Sequence, residues 1–363
     1  MRRQDRTDLE RESPSGNPQA YGCRRYILCQ LPEGETEQSQ EEKRLELLEI
    51  HSGTRRKNWD WEKILDLCEK TYGTLRKEIN TVSKVIFELQ KAKDQGTNPR
   101  IPSDVDINDC HIAKISERWP FIFSWRSTVQ HFHQLTEFDI YSSIEDFLEE
   151  YGDDLIKFFL RQKKHEVDMK KINKCYEKFS NADNKKGLKL VTILFMLSEY
   201  FDEDSSKWLA RVDEGITVDT FSEKYDLTAI SSTPMVFAVG KVYTAKKFYV
   251  AVDKAIETAT RTFYEAFLVS FAYYYICGIN YPVEASLTMD FVQRGMIGIN
   301  PKKGTKTQCR KGTRPTTAVS SRLLTLFRKI HFQLQDDESE DVDMNVAEFD
   351  RLREQEADDA DSS

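Results

Sequence analysis

From Trp59 the apolar residues return at helical spacing: Trp61, Ile64, Leu65 and Cys68, then Tyr72, Leu75, Ile79, Val82, Ile86 and Leu89. A stripe of that period predicts one long helix with a single buried face, ending near Lys93. Gly96, Pro99 and Pro102 then break the pattern and predict a loop. Asp109 is placed to cap a short helix through Ile112, Ile115 and Arg118. Pro120 stops it at Trp119, because a proline ring disfavours helical geometry in the residue before it. Phe121, Ile122 and Phe123 read as a buried turn, and further helices are predicted over 124–135, 142–164 and 167–179. Up to about residue 180 the chain reads as a helical array.

The polar stretch 181–187, ending in Gly187, marks a boundary after which the period changes. Short apolar runs at 190–197, 234–239 and 247–252 predict the strands of a small sheet. Residues 205–212 suit one or two helical turns, and 217–233 shows no pattern. Phe263, Phe267, Phe271 and Tyr275 then recur every fourth residue, with Tyr264, Leu268 and Ile276 widening the face. A helix apolar on most sides belongs at the centre of a core. Pro282 suits the first turn of the next helix, where its missing N–H costs nothing, and Glu284 complements the helix dipole there. Val283, Leu287 and Phe291 are expected to pack that helix antiparallel on the Phe263 helix, and a last helix from about Ser320 closes the same core. The predicted fold is α+β and predominantly α, an N-terminal helical array followed by a small sheet packed on a C-terminal helical hairpin. Its expected organisation is a mostly disordered region over 1–58, a helical region over 59–180, an α+β domain over 188–335 and an acidic disordered tail over 336–363.

Charge changes this picture near the C-terminus. The chain of 363 residues has a formal net charge of -8, yet 13 of its 61 acidic residues fall after Gln335, against two of its 53 basic ones. The rest of the chain is therefore slightly basic. Between Asp290 and Asp336 there is no acidic residue, and Lys302, Lys303, Lys306, Arg310, Lys311 and Arg314 cluster in one predicted loop. Seven scattered cysteines without a C-x-x-C pair argue against a disulfide framework or a zinc ribbon and for a reducing compartment. Residues 1–12 lack the apolar stretch of a secretory leader. The apolar run 266–279 is shorter than the roughly 18 to 20 residues that span a bilayer. An intracellular location, cytoplasmic or nuclear, with no membrane attachment, follows as the expectation.

Candidate chemistry is sparse. The segment from Gly298 to Thr307 departs from a phosphate-binding loop, because five residues separate its glycines and Thr305 stands where lysine is needed. His131 and His133 lie two apart on a predicted helix, so they point to different faces and do not share a metal. Asp202, Asp204 and Ser206 begin like a calcium loop, but Lys207 occupies the glycine position. No G-x-S-x-G elbow is present. Trp119 and Trp125 read as core, or as part of a partner groove. No cofactor or metal is expected. Clustered cations bind polyanions without fixed geometry, which makes Lys302, Lys303, Lys306, Arg310, Lys311 and Arg314 the one candidate site. The neighbouring acidic tail is placed to compete for it.

The blocks Thr71-Tyr-Gly-Thr-Leu-Arg-Lys-Glu-Ile79, Ile115-Ser-Glu-Arg-Trp-Pro-Phe-Ile-Phe123, Gly278-Ile-Asn-Tyr-Pro282, Phe291-Val-Gln-Arg294 and Gly298-Ile-Asn-Pro301 form a distinctive set. Together they resemble a largely uncharacterised fish protein family similar to sterile alpha motif domain-containing protein 3. None of these motifs is catalytic, and residues 1–58 offer no five-helix sterile alpha motif, so oligomerisation through such a module does not carry over. The expected function is a non-enzymatic protein-interaction or scaffold module with a protein partner. The alternatives are a nucleic-acid-associated protein using the basic 302–314 loop and an enzyme with a dispersed acidic site.

Overall fold

Thr36 accepts the Ser39 amide on its hydroxyl while the Ser39 hydroxyl accepts the Thr36 amide, and this capping box starts α1 (Glu37–Gly53). The computed structural model describes residues 31–101, 112–162, 168–182, 184–217, 220–221, 233–252, 255–300 and 319–337. α1 lies inside the 1–58 stretch expected to be mostly disordered, which corrects that expectation over 37–53. Its buried face is built from Gln40, Arg44 and Leu47. The Thr74 hydroxyl donates to Gln40 Oε1 (2.9 Å), and Arg44 donates to the Arg118 carbonyl (3.3 Å). Polar side chains that bury their stems and bond at their tips make a helix face with no apolar stripe to read.

The long helix expected from Trp59 is two, α2 (Trp61–Lys70) and α3 (Tyr72–Gln95), hinged at Thr71, whose hydroxyl donates back to the Leu67 carbonyl (2.8 Å). Gly96, at φ 65, closes α3 in the left-handed conformation that glycine adopts without strain. After α4 (Ile112–Arg118) a 3-10 turn, Pro120–Phe123, is buried as expected. α5 (Trp125–Thr136) follows. The helix predicted over 142–164 is split at Tyr151 into α6 (Ile140–Glu150) and α7 (Gly152–Leu160). α8 (Met169–Ser180) leads to α9 (Lys185–Phe201), which occupies the stretch 190–197 expected to be a strand. Leu190 to Leu194, Met196, Leu197, Ser198 and Phe201 are all buried, and a helix enclosed on every side shows neither period clearly. α9 packs on α8 across the boundary expected near 181–187, and one apolar cluster extends from Leu47 to Leu326.

The sheet has four strands in the order β1 (Leu209–Val212), β2 (Met235–Val239), β3 (Phe248–Val252) and β4 (Ala255–Thr260). β1 runs parallel to β2, and the other pairs are antiparallel. The helical turn expected over 205–212 is confined to a 3-10 turn at Ser205–Lys207. Val236, Ala238, Phe248, Val250 and Val252 join the main core, while Met235, Phe237, Tyr249 and Ala251 form a second cluster with Val212, Ile216 and Phe221. With both faces covered, β2 and β3 read as continuous apolar runs.

Thr262 caps α10 (Phe263–Ile276), in which only Tyr264 and Glu265 escape full burial. Phe263 and Phe267 stack at 5.9 Å, and the ladder continues through Phe271 to Tyr275. α10 packs on α5, on α9 and on the sheet. The chain turns at Gly278 (φ 69) and returns through Tyr281, which meets Phe271 and Tyr274. A 3-10 turn (Val283–Ala285), α11 (Ser286–Phe291) and a π-helical turn (Val292–Met296) complete the hairpin. Its second arm buries α11 against α9, where direct packing on the Phe263 helix was expected. α12 (Ser321–Asp337) closes the body by stacking Phe327 on Phe291 at 5.2 Å. Gly295 permits that approach, since a Cβ there would sit 2.9 Å from Phe327 Cε1.

Candidate binding groove

Three separate parts of the chain bring positive charge to one concavity. Arg56 occupies the 3-10 turn Arg56–Asn58 between α1 and α2. That turn is pinned by Trp59, whose Nε1 donates to the Thr54 carbonyl (2.9 Å) and whose ring meets Phe121 edge-on at 4.8 Å. Lys246 and Lys247 precede β3, and the pairing of Phe248 with Thr260 sets them level with Arg261 at the end of β4. Arg261 is held where α10 begins: Thr262 Oγ1 accepts the Glu265 amide (3.2 Å), and Glu265 Oε2 accepts the Arg261 amide (3.4 Å). Trp125, at the start of α5, is half-buried. Arg56, Trp125, Lys246, Lys247, Ala259, Thr260, Arg261 and Glu265 line an open groove of about 580 Å³.

The charges of this groove are unspent. Among the described residues, no carboxylate lies within 4.0 Å of the Arg56, Lys246, Lys247 or Arg261 side chains; Lys247 instead lies over the Tyr249 ring at 4.9 Å. Some surface cations elsewhere are paired, as in Lys63–Glu46 (2.6 Å), Arg118–Glu78 (3.1 Å), Lys186–Glu149 (2.7 Å) and Lys189–Asp153 (2.9 Å). An aromatic wall continues from Trp125 to Tyr141 (6.1 Å) and on to Tyr264 (5.3 Å), whose hydroxyl donates to the Tyr141 carbonyl (2.8 Å). Beyond Tyr264 the sign reverses. Burial first, then the carboxylates of Glu145, Asp139 and Asp146, push its hydroxyl pKa upward. The groove is thus a bounded positive site with an acidic rim on α6.

The polar groups inside the body serve packing. Arg76, fully buried on α3, donates to the Ile276 carbonyl (2.7 Å) and to Asn80 Oδ1 (2.6 Å), and its Nη1 lies 3.4 Å from His131 Nε2. Glu203 accepts the Leu287 and Thr288 amides (2.7 and 2.9 Å), so its carboxylate starts α11. Burial raises its pKa against those bonds. Burial and, second, the Arg76 guanidinium hold His131 well below its ordinary 6.5. The unfolded chain protonates His131 at that ordinary value, so its contribution is fully present above pH 6.5 and is lost as pH falls below it. His131→Gln is expected to narrow the difference between thermal midpoints at pH 7.5 and pH 5. An unchanged difference would show that other groups set the acid sensitivity.

The residues singled out from sequence divide as follows. Lys302, Lys303, Lys306, Arg310, Lys311 and Arg314 lie outside the described residues, as does the acidic tail from 338 on. His131 is buried and His133 exposed, on different faces of α5 as expected. Asp204 caps the Ser205–Lys207 turn through the Ser206 amide (2.9 Å). Trp119 belongs to the core, its Nε1 donating to Glu78 Oε2 (2.9 Å), whereas Trp125 borders the groove. The groove cations escape sequence reading because they come from three distant segments, and recognising β4 was the one signal that joins Lys246 and Lys247 to Arg261. Among the described residues no three His, Cys, Asp or Glu side chains gather as metal ligands, and no helix is long and apolar enough to cross a membrane. Comparison of the chain with protein-family models, curated protein sequences and solved structures returns no match.

Proposed function

We propose that this protein is a non-enzymatic interaction module that takes a short acidic segment of a partner protein into the groove of Arg56, Trp125, Lys246, Lys247 and Arg261. The observation that carries this reading is the convergence of four cations, none of them ion-paired among the described residues, beside a half-buried tryptophan, with Glu265 the one carboxylate of the lining. Unpaired surface cations steer an anionic segment and fix its register, while an aromatic ring supplies the contact that resists dissociation. Each exposed ion pair contributes only about 0.2–1 kcal/mol, so the binding is of the weak, salt-sensitive kind. The acidic rim of Asp139, Glu145 and Asp146 favours a short peptide over a long nucleic acid, whose backbone would run past the groove into like charge. Free thiols at Cys68, Cys175 and Cys277 fit an intracellular, reducing setting for such a partner.

The test is fluorescence anisotropy of a labelled Glu-rich peptide and of a labelled single-stranded oligonucleotide of equal charge, at low and high salt. The peptide is expected to bind at low salt, and Arg56→Glu with Arg261→Glu to weaken it by about tenfold or more. Binding of the oligonucleotide but not the peptide, or peptide binding indifferent to the charge reversal, would overturn the reading.

A further inference from the structure

We infer that the acidic segment enters the groove as a strand, pairing its backbone with the open edge of β4. This rests on the reading of the groove as a site for acidic segments and names the conformation and pattern of the partner. β4 is the last strand of the sheet, so one of its sides has no strand beside it. The Val239 amide donates to the Lys247 carbonyl (3.1 Å), which makes these two a bonded pair of the antiparallel ladder. Bonded and non-bonded pairs alternate, so Tyr249 and Ala251 bond toward β2, whereas Phe248 and Val250 turn their amides and carbonyls to Thr260 and Thr258. Ala259, opposite Tyr249 in a non-bonded pair, therefore turns its amide and carbonyl away from β3, toward the open edge. Among the described residues no group outside the sheet bonds either one, whereas the Arg261 amide, two residues on, goes to Glu265 Oε2 (3.4 Å). Ala259 is half-buried and lines the groove with Thr260 and Arg261, so this unused donor and acceptor stand among its cations.

An edge strand accepts a further strand readily, main-chain bonds supplying affinity and alternate side chains specificity. Lys247 lies over the Tyr249 ring, which packs in the same cluster as Ala259, so this cation shares one face of the sheet with the side chain at the free edge. In an added strand, residues two apart share a face at about 6.4–6.8 Å spacing. The partner that fits has acids at alternate positions, all turned to that face. A second copy of this edge brings its own Lys246, Lys247 and Arg261 and is repelled, so the cations both select an acidic strand and keep the edge from pairing with itself.

The experiment titrates the full chain with a labelled peptide of alternating Glu and Thr and with two N-methylated forms of it, one methylated at every Glu amide, the other at every Thr amide. Amides of alternate residues point to opposite edges of a strand, so only one form keeps free amides toward β4. That form is expected to bind like the parent peptide, and the other about tenfold or more weakly. Ala259→Pro is expected to weaken the parent peptide about tenfold with little change in thermal midpoint, because this amide lies outside the β3 ladder. Equal affinities for the two methylated peptides, or an unchanged affinity in folded Ala259→Pro, overturn the inference and leave the groove reading standing. Should Ala259→Pro fail to fold, the methylated pair decides alone. If the parent peptide itself does not bind, the groove reading fails and the inference with it.

Discussion

Asp290→Ala is expected to cost about 3–5 kcal/mol of folding stability, because it strands a buried guanidinium. Asp290 and Arg294 are one helical turn apart, with relative side-chain exposures of 4% and 1%, and Arg294 Nε donates to Asp290 Oδ1 at 2.9 Å. Burial raises the Asp290 pKa even though the guanidinium opposes that shift, so desolvation outweighs attraction at this site. The pair as a whole therefore contributes little, while half of it is a liability. Asp290→Leu combined with Arg294→Met is expected to recover most of the loss in urea denaturation. A double variant as unstable as Asp290→Ala would mean that the ionic bond itself, with its neighbouring contact of Tyr281 Oη to Gln293 Oε1 (2.9 Å), holds the π-helical turn in place.

Arg76→Met is the second large effect, with an expected loss of about 3 kcal/mol, the range for hydrogen bonds made by a buried charged group. The carbonyls at the end of a helix have no partner within it. At the end of α10 two of them are satisfied from α3: Arg76 reaches the Ile276 carbonyl (2.7 Å), and the Ser83 hydroxyl donates to the Cys277 carbonyl (2.8 Å). Seven residues is close to two turns, which places both donors on one face of α3. The positive charge of Arg76 also complements the negative end of the α10 dipole. Methionine keeps the packing volume and leaves the Ile276 carbonyl without that donor. Urea midpoints for Arg76→Met and Ser83→Ala should differ markedly, the serine costing only about 1 kcal/mol. Equal losses would assign the stabilisation to the neutral bonds and not to the charge.

The fold class was legible where one periodicity dominated. α5, α10, α12 and the runs that became β2 and β3 follow the apolar pattern directly. α9 was not, because its burial on every side erased the contrast on which a period depends, and α1 was not, because its inner face is Gln40, Arg44 and Leu47. β1 and β4 were missed for a different reason: a strand of four to six residues takes its identity from its neighbour, as Leu209 does from Val236 and Ala255 from Val252. Of the groove, Trp125 was visible in the sequence as a residue with two readings. Arg56, Lys246, Lys247 and Arg261 were not, since charge density along the chain peaks at 302–314, whereas their convergence without an ion pair among the described residues is a property of the folded surface.

The bond from Arg76 to the Ile276 carbonyl closes a loop of 200 residues. During synthesis at roughly 5–20 residues per second, its acceptor leaves the ribosome about 10–40 seconds after its donor. For that interval the Arg76 guanidinium lacks the carbonyl it bonds in the folded protein. The two bonds that tie α3 to the end of α10, from Arg76 and from Ser83, therefore form only after the C-terminal third of the chain has been made.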